Sequence, residues 1–496
     1  MRFIPRNFLT IMVSCRPYQG IHFMKWVPNM LAALMLGNYC ASATEQIVTL
    51  GDSLTFAYEA EFGFNIPFTS YGDGFAPEVR NWAEILNDPL YRHERFDLGT
   101  RQNISVLGLY DIFFRQKNNW AIPGLKVNGL RRFINGEESF LNLLDLGSDL
   151  TYIIENSNFD AVTDFPLTDL KSQIQNTAER LTFFIGGNDV RAIYGNVYDG
   201  GSAGTFIADF ISDSAAVLDW VLALNPNIQI VVVNVPHIGI TPDVKSSWPT
   251  DPVKTQRVTA VLRELNRQLA GLATARGLGY ADVFTPTLSL LDPAPLCIHG
   301  ITFENRGSSS GALDRVWLNG TISANFHPNT SAQAIVANEI IAAFNTRYHT
   351  GIAPLTATEM LGGLLKKTAS QIDMTFAAWM TGFGLTGLTE SDDSDGDGVA
   401  AAVEFALGLN PTLRDAHEIT SAVVANGGNP ALELAYPIRL PTSIRYALAP
   451  ASSADLTSGF IPFVVPPAAG ADGLARARLP LAGPRGFLRL QSTLTP

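Results

Sequence analysis

Four short runs of apolar and β-branched residues divide the first two-thirds of the chain, and three of them stop at polar, glycine-rich turns. They read EQIVTLGDSL (45–54), ERLTFFIGGNDV (179–190), NIQIVVVNVPHIGITP (227–242) and LGYADVF (278–284), and helix-like segments lie at 205–224, 252–276 and 331–346. Strands that are apolar throughout cannot face water on either side. Alternating with helices, they predict an α/β domain with a parallel sheet covered on both faces. In such sheets reactive groups collect at the C-terminal ends of the strands, which is where the polar turns fall. Residues 87–172 give a weaker pattern and are expected to help shape a substrate cleft.

A chain of 496 residues exceeds what one core organises. The expected division is an upstream extension and leader (1–43), the α/β domain (44–350), a helical linker with an acidic loop (351–411) and a small β-rich domain (412–496). The formal charge of −12 excludes the basic footprint of a nucleic-acid binder.

From Met24 the chain reads MKWVPNMLAALMLGNYCASATEQ. Lys25, the apolar run Met30 to Leu36 and the small-residue triplet Ala41-Ser42-Ala43 have the layout of a secretory leader cleaved after Ala43. The run is too short to span a membrane. The expectation is a secreted, periplasmic or cell-surface protein with no transmembrane segment in the mature chain, and residues 1–23 read as an upstream extension. Cys15 and Cys40 would leave with the leader, and Cys297 alone cannot form an internal disulfide.

Ser53 follows the first strand. A serine at such a turn presents its hydroxyl at the sheet edge, and acyl transfer needs that hydroxyl, a base and donors for an oxyanion. Gly108, closing NISVLG, can bring a backbone N–H to the same place. Asn188, in GGND, ends a neighbouring strand with a side-chain amide. His327, in FHPN ahead of the last helix, is the candidate base. His237 and His299 read as ordinary structural histidines.

Ser53, Gly108, Asn188 and His327, in that order, resemble the blocks of the GDSL, or SGNH, hydrolase superfamily of esterases and lipases. The resemblance covers roughly residues 45–348, with NWAEIL (81–86) and NVPHIGITP (234–242) also fitting. It implies a flavodoxin-like three-layer α/β/α fold and hydrolysis of carboxylic esters by a Ser–His acyl-enzyme route that needs no cofactor. The family's aspartate stands three residues before the histidine, and here that position is Ala324. Three readings stay open. The main-chain carbonyl at Ala324 orients His327, as in some secreted members of the superfamily; Asp314 or Glu304 swings in; or catalysis is impaired.

DSDGDGVAAAVE (393–404) fits the calcium-loop pattern D-x-D-x-D-G-x5-E. Asp393, Asp395 and Asp397 would give carboxylate oxygens, Val399 a carbonyl and Glu404 a bidentate carboxylate, for a structural Ca2+. The loop resembles those of dockerin and thrombospondin-type modules. The expected function is a secreted esterase or lipase acting on a lipid or an acylated small molecule. A carbohydrate acetylesterase is the narrower alternative, and a non-catalytic binding protein on the same scaffold is the alternative of another class.

Overall fold

The computed structural model describes residues 8–11, 46–61, 75, 78–87, 95–106, 110–139, 143, 166–320, 324–372, 375–415, 419–426, 429–437, 446–453, 460–463, 474–481 and 486–494. The predicted leader at 24–43, Gly108 and most of the insert 140–165 lie outside the described residues. Two compact units divide the chain. One is Thr44–Gln371, and the other is Ile372–Pro496 with the first 43 residues.

The first unit is built on a parallel sheet of strands β1 (Ile47–Gly51), β2 (Arg180–Phe184), β3 (Gln229–Val233) and β4 (Gly279–Ala281), in that spatial order. These are the four runs marked by the sequence. On the outer side of β1 the segment 118–122 runs alongside, with Trp120 N donating to Thr49 O at 2.9 Å and Ile122 N to Gly51 O at 3.1 Å. The register places Val48 beside Leu181 and Leu181 beside Ile230, so Val48, Leu50, Leu181, Phe183, Ile230 and Val232 share one face. That face forms a single core with Val190, Val217, Leu218, Val221, Leu262 and Leu265. These residues belong to helices α1 (Gly187–Tyr198), α2 (Phe206–Leu224) and α3 (Lys254–Ala275). Helix α4 (Thr330–Tyr348) packs on β3 and β4 and buries Ile340, Ile341 and Phe344. The result is the expected α/β fold with helices on both sides of a parallel sheet.

The unit ends later than residue 350. Asn345 and Asn338 of α4 hydrogen-bond Ile352 and Leu355, Arg95 pairs with Glu359 at 3.1 Å, and Met360, Leu361 and Leu364 are buried. The segment 351–371 is therefore part of the α/β unit, where the sequence reading made it a linker.

The second unit is β-rich. Thr420–Asn426, Asn429–Pro437 and Leu474–Pro480 form one antiparallel sheet. Tyr446–Ser453, Ile461–Pro462 and Phe487–Leu494 form another, joined by Phe8–Ile11. Helix α5 (Ala401–Leu407) contributes Val403 and Leu407 to a core with Val399, Leu432, Leu434, Leu488 and Leu490. The acidic loop and its helix thus belong to the β-rich unit, because their apolar side chains fill its core.

Candidate active site

Ser53 lies in the turn that closes β1 and is almost fully buried, at 4% exposure. The turn is tight. A Cβ on Gly51 would meet Phe184 O at 2.7 Å and Thr55 Oγ1 at 2.8 Å, so only glycine fits between the two strand ends. Asp52 Oδ1 accepts from Leu54 N at 3.0 Å, and its carboxylate lies beside Gly187 in the turn that opens α1. Gly186 caps that helix at φ +133°, and a Cβ there would strike Val235 at 2.6 Å. Asn119 steadies the far side of the turn, with Nδ2 donating to Thr55 O at 2.9 Å.

His327 reaches this turn from the start of α4. Its carbonyl accepts from Leu318 N at 3.0 Å, and Asn329 N donates to Val316 O at 2.7 Å, so strand β5 (Arg315–Leu318) holds the histidine segment from behind. Asn329 caps α4 through its side chain. His327 Nε2 lies 2.6 Å from Ser53 Oγ, a hydrogen bond between groups 274 residues apart in sequence. His327 itself is 3% exposed. The Tyr58 ring packs edge-on against the imidazole, and Tyr58 Oη donates to Pro328 O at 3.0 Å while accepting from Gln333 Nε2 at 2.7 Å.

A carboxylate absent from the sequence reading joins the pair. Glu61 Oε1 is 3.9 Å from His327 Nε2, with its side chain 9% exposed. Glu61 ends the short helix Tyr58–Glu61. That helix is anchored by the buried Glu84, whose carboxylate accepts from Tyr58 N, Glu59 N and Asn81 N at 2.9–3.1 Å. Glu84 N in turn donates to Asn81 Oδ1 at 2.9 Å, a reciprocal capping box within NWAEIL.

Asn188 stands in the first turn of α1, its Nδ2 donating to Leu125 O at 3.2 Å; a primary amide keeps a second hydrogen for another acceptor. Ala324 begins a turn of 3-10 helix, Ala324–Phe326, that leads directly into His327. Glu304 pairs with Arg315 and, at 2.5 Å, with Arg306, on an exposed edge. Asp314 lies 3.8 Å from Arg315 and is half exposed. Both carboxylates suggested as stand-ins for the missing aspartate are therefore drawn to arginines. His237 is a core residue with no solvent exposure: Nδ1 accepts from Gly239 N, Nε2 faces Thr259 Oγ1 at 3.0 Å, and burial pushes its pKa down to about 4. Burial also lowers His299 to about 4.

Burial dominates the acids beneath the site. It raises Asp52 to about 7, against the pull of its backbone hydrogen bonds and with help from the nearby Asp189. Asp189, which accepts from Val127 N, rises to about 6 for the same reason. Burial also raises Glu84.

An apolar cleft lies beside the Ser–His pair. Leu54, Phe326 and Pro328, each next in sequence to a member of the pair, line it with Ile238, Trp317 and Val336.

In the second unit, Asp393, Asp395 and Asp397 gather their oxygens within 4.8 Å of one another, and Asp397 does the same with Glu404 and Asp415. Val399, between these groups in sequence, is fully buried. Asp415 lies outside the sequence motif and was not anticipated. Among the described residues no helix is long and apolar enough to cross a membrane.

Among solved structures, the chain is similar to an acetylxylan esterase of Geobacillus stearothermophilus, at 13% identity and a TM-score of 0.28, covering 60% of this chain and 93% of that one. It is similar to an extracellular lipase of Streptomyces rimosus at 14% identity and a TM-score of 0.30, covering 62% and 99%. A putative GDSL-like lipase of Parabacteroides merdae gives 16% identity and a TM-score of 0.29, covering 60% and 95%. At these identities and TM-scores the likenesses say nothing about substrate. No curated protein matches the chain. The GDSL-like lipase/acylhydrolase family matches residues 47–340, from the first strand of the sheet into the helix behind His327, and the chain belongs to that family.

Proposed function

We propose that the protein hydrolyses carboxylic esters through an acyl-enzyme on Ser53, with His327 as general base. The observation that carries this reading is the 2.6 Å contact between Ser53 Oγ and His327 Nε2 in a nearly dry site. His327 Nε2 takes the hydroxyl proton as Ser53 Oγ attacks the ester carbonyl. By resemblance to the family, the oxyanion is assigned to the backbone N–H groups of Ser53 and Gly108 and to the amide of Asn188. His327 then passes the proton to the departing alkoxide, and water, activated in the same way, releases the acid. The carbonyl at Ala324 takes the orienting role of the missing aspartate; the 3-10 turn that carries it into His327 and the arginine pairing of Glu304 and Asp314 support that choice.

The apolar cleft supports an acyl group of more than two carbons in preference to an acetylated carbohydrate, which calls for a shallow polar groove. The leader pattern ending at Ala43 supports export of the enzyme.

Hydrolysis of p-nitrophenyl acetate, butyrate and decanoate by the parent, Ser53→Ala and His327→Ala proteins tests this. Activity that vanishes in both variants and peaks above acetate supports the proposal. Activity confined to acetate would favour the acetylesterase. Turnover no greater in the parent than in Ser53→Ala would leave the binding-scaffold alternative standing.

A further inference from the structure

We propose that Asp393, Asp395, Asp397, Glu404, the Val399 carbonyl and, beyond the loop motif, Asp415 form one calcium site inside the β-rich unit. The observation that points to a cation is Glu404. Its side chain is completely buried, yet neither carboxylate oxygen has a hydrogen-bond partner among the described residues. A carboxylate taken out of water without donors is a costly arrangement that an ion of opposite charge relieves. Glu404 lies in the first turn of α5, with its neighbours Val403 and Phe405 fixed in apolar packing, so it cannot swing out to solvent.

Its surroundings are acidic. Oxygens of Asp397 and Asp415 lie within 4.8 Å of one of its own, and Asp397 links this group to Asp393 and Asp395. Asp395 Oδ2 is likewise buried without a partner. The remaining oxygens hold the loop in shape. Asp393 accepts from Gly396 N and Gly398 N at 2.8 and 2.9 Å, and Asp397 accepts from Val399 N at 2.8 Å. Arg414 is turned to the Asp395 carbonyl at 2.9 Å.

All the donors are hard oxygens, without histidine or cysteine, which selects calcium or magnesium over zinc. Five carboxylates and a carbonyl supply the six to eight oxygens at flexible geometry that calcium takes, where magnesium keeps its water and demands a strict octahedron. Asp415 is positioned by accepting from Asn410 N at 2.9 Å. Through it the ion would fasten the chain leaving α5 to the loop entering it, closing a ring around the helix that carries Val403 and Leu407 into the core.

Titration of calcium chloride into the chelator-treated full chain, followed by calorimetry and by thermal unfolding, tests this. One calcium per chain is expected, at a Kd of about 10⁻³ M or tighter, with a melting temperature that rises with calcium and much less with magnesium. Glu404→Gln and Asp415→Asn are each expected to weaken binding at least about tenfold. Glu404→Gln, which replaces the buried ionisable carboxyl with a neutral amide of the same shape, is also expected to raise the melting temperature of the calcium-free protein, so a lost calcium effect in a well-folded variant is distinguished from misfolding. Absence of binding heat and of a thermal shift at 10 mM calcium would overturn the site. Equal shifts by magnesium would reduce it to charge screening. Parent-like binding by Asp415→Asn would remove Asp415, and with it the closing of the ring.

Discussion

Glu61 Oε1 stands 3.9 Å from His327 Nε2, the ring nitrogen that also receives the Ser53 hydroxyl at 2.6 Å. The aspartate of a Ser–His–Asp triad works from the opposite nitrogen, where it fixes tautomer and orientation. Glu61 can do neither, because Nε2 is where the proton arrives. It can stabilise the imidazolium once formed, since charges about 4 Å apart attract by roughly 4 kcal/mol at an effective dielectric near 20. Glu61→Gln is expected to lower kcat by about tenfold to a hundredfold, a fraction of that attraction, with KM little changed. Steady-state kinetics on a butyrate ester checks it, and an unchanged kcat would confine Glu61 to a structural role.

Asn188 carries the oxyanion expectation. Its Nδ2 already donates to Leu125 O, which fixes the amide plane before substrate arrives. Asn188→Ala is expected to reduce kcat by about 10²–10³-fold, the usual cost of one such donor. Asn188→Asp, which has no N–H to offer, is expected to be no better than alanine. A loss expressed mainly in KM would mean that Asn188 binds substrate and does not stabilise the transition state.

Asp52 makes a pH prediction. Its folded-state pKa is raised from 3.8 to about 7, chiefly by burial. Between those values the unfolded chain has released this proton and the folded chain retains it, so raising the pH through the window favours unfolding. The contribution is on the order of 4 kcal/mol at full ionisation. Asp189, raised to about 6, acts in the same direction. Thermal unfolding with calcium held constant is expected to give a higher melting temperature at pH 5 than at pH 8. Asp52→Asn, whose side-chain oxygen can still accept from Leu54 N, is expected to flatten that slope. A slope identical to the parent's would mean that Asp52 is ionised throughout.

Glu84 makes a stability prediction. Its buried carboxylate serves three backbone donors, Tyr58 N and Glu59 N in the helix Tyr58–Glu61 and Asn81 N just ahead of the helix Trp82–Asn87. Glu84→Ala strands those donors, and hydrogen bonds to charged groups are each worth about 1.5–3 kcal/mol. A loss of at least about 3 kcal/mol by denaturant unfolding is expected. Activity should fall with it, because the first helix carries Tyr58 and Glu61 to His327.

What the sequence shows plainly is whatever is written in a single segment. The parallel strands are legible because each is apolar from end to end, and Ser53 and Asn188 because each follows such a strand. His327 is legible as a helix-opening histidine, but its partner is not, since 274 residues separate it from Ser53. Glu61, Glu84 and Asp415 are ordinary acids in sequence, and only the folding of distant segments gives them their places. The boundary at Gln371 is hidden for a related reason: the helix-forming stretch after residue 350 reads as a linker until Asn345 and Asn338 of α4 bind its backbone.

The apolar cleft yields the last prediction. Val336, on α4, lines it two turns beyond His327 and takes no part in the Ser–His geometry. Val336→Trp would fill the cleft from its wall while leaving Ser53, His327 and Asn188 where they are. An acyl chain of eight to ten carbons would lose burial worth about 0.8 kcal/mol for each methylene displaced, so three displaced groups cost about fiftyfold in kcat/KM. An acetyl ester, too short to reach the wall, should be cleaved as before. The ratio of decanoate to acetate hydrolysis is the measurement, and thermal unfolding confirms that the variant is folded. If both esters lose activity equally, the tryptophan has disturbed the Ser53–His327 pair. If neither does, the acyl chain lies elsewhere, and the cleft is a packing defect between α4 and the strand ends.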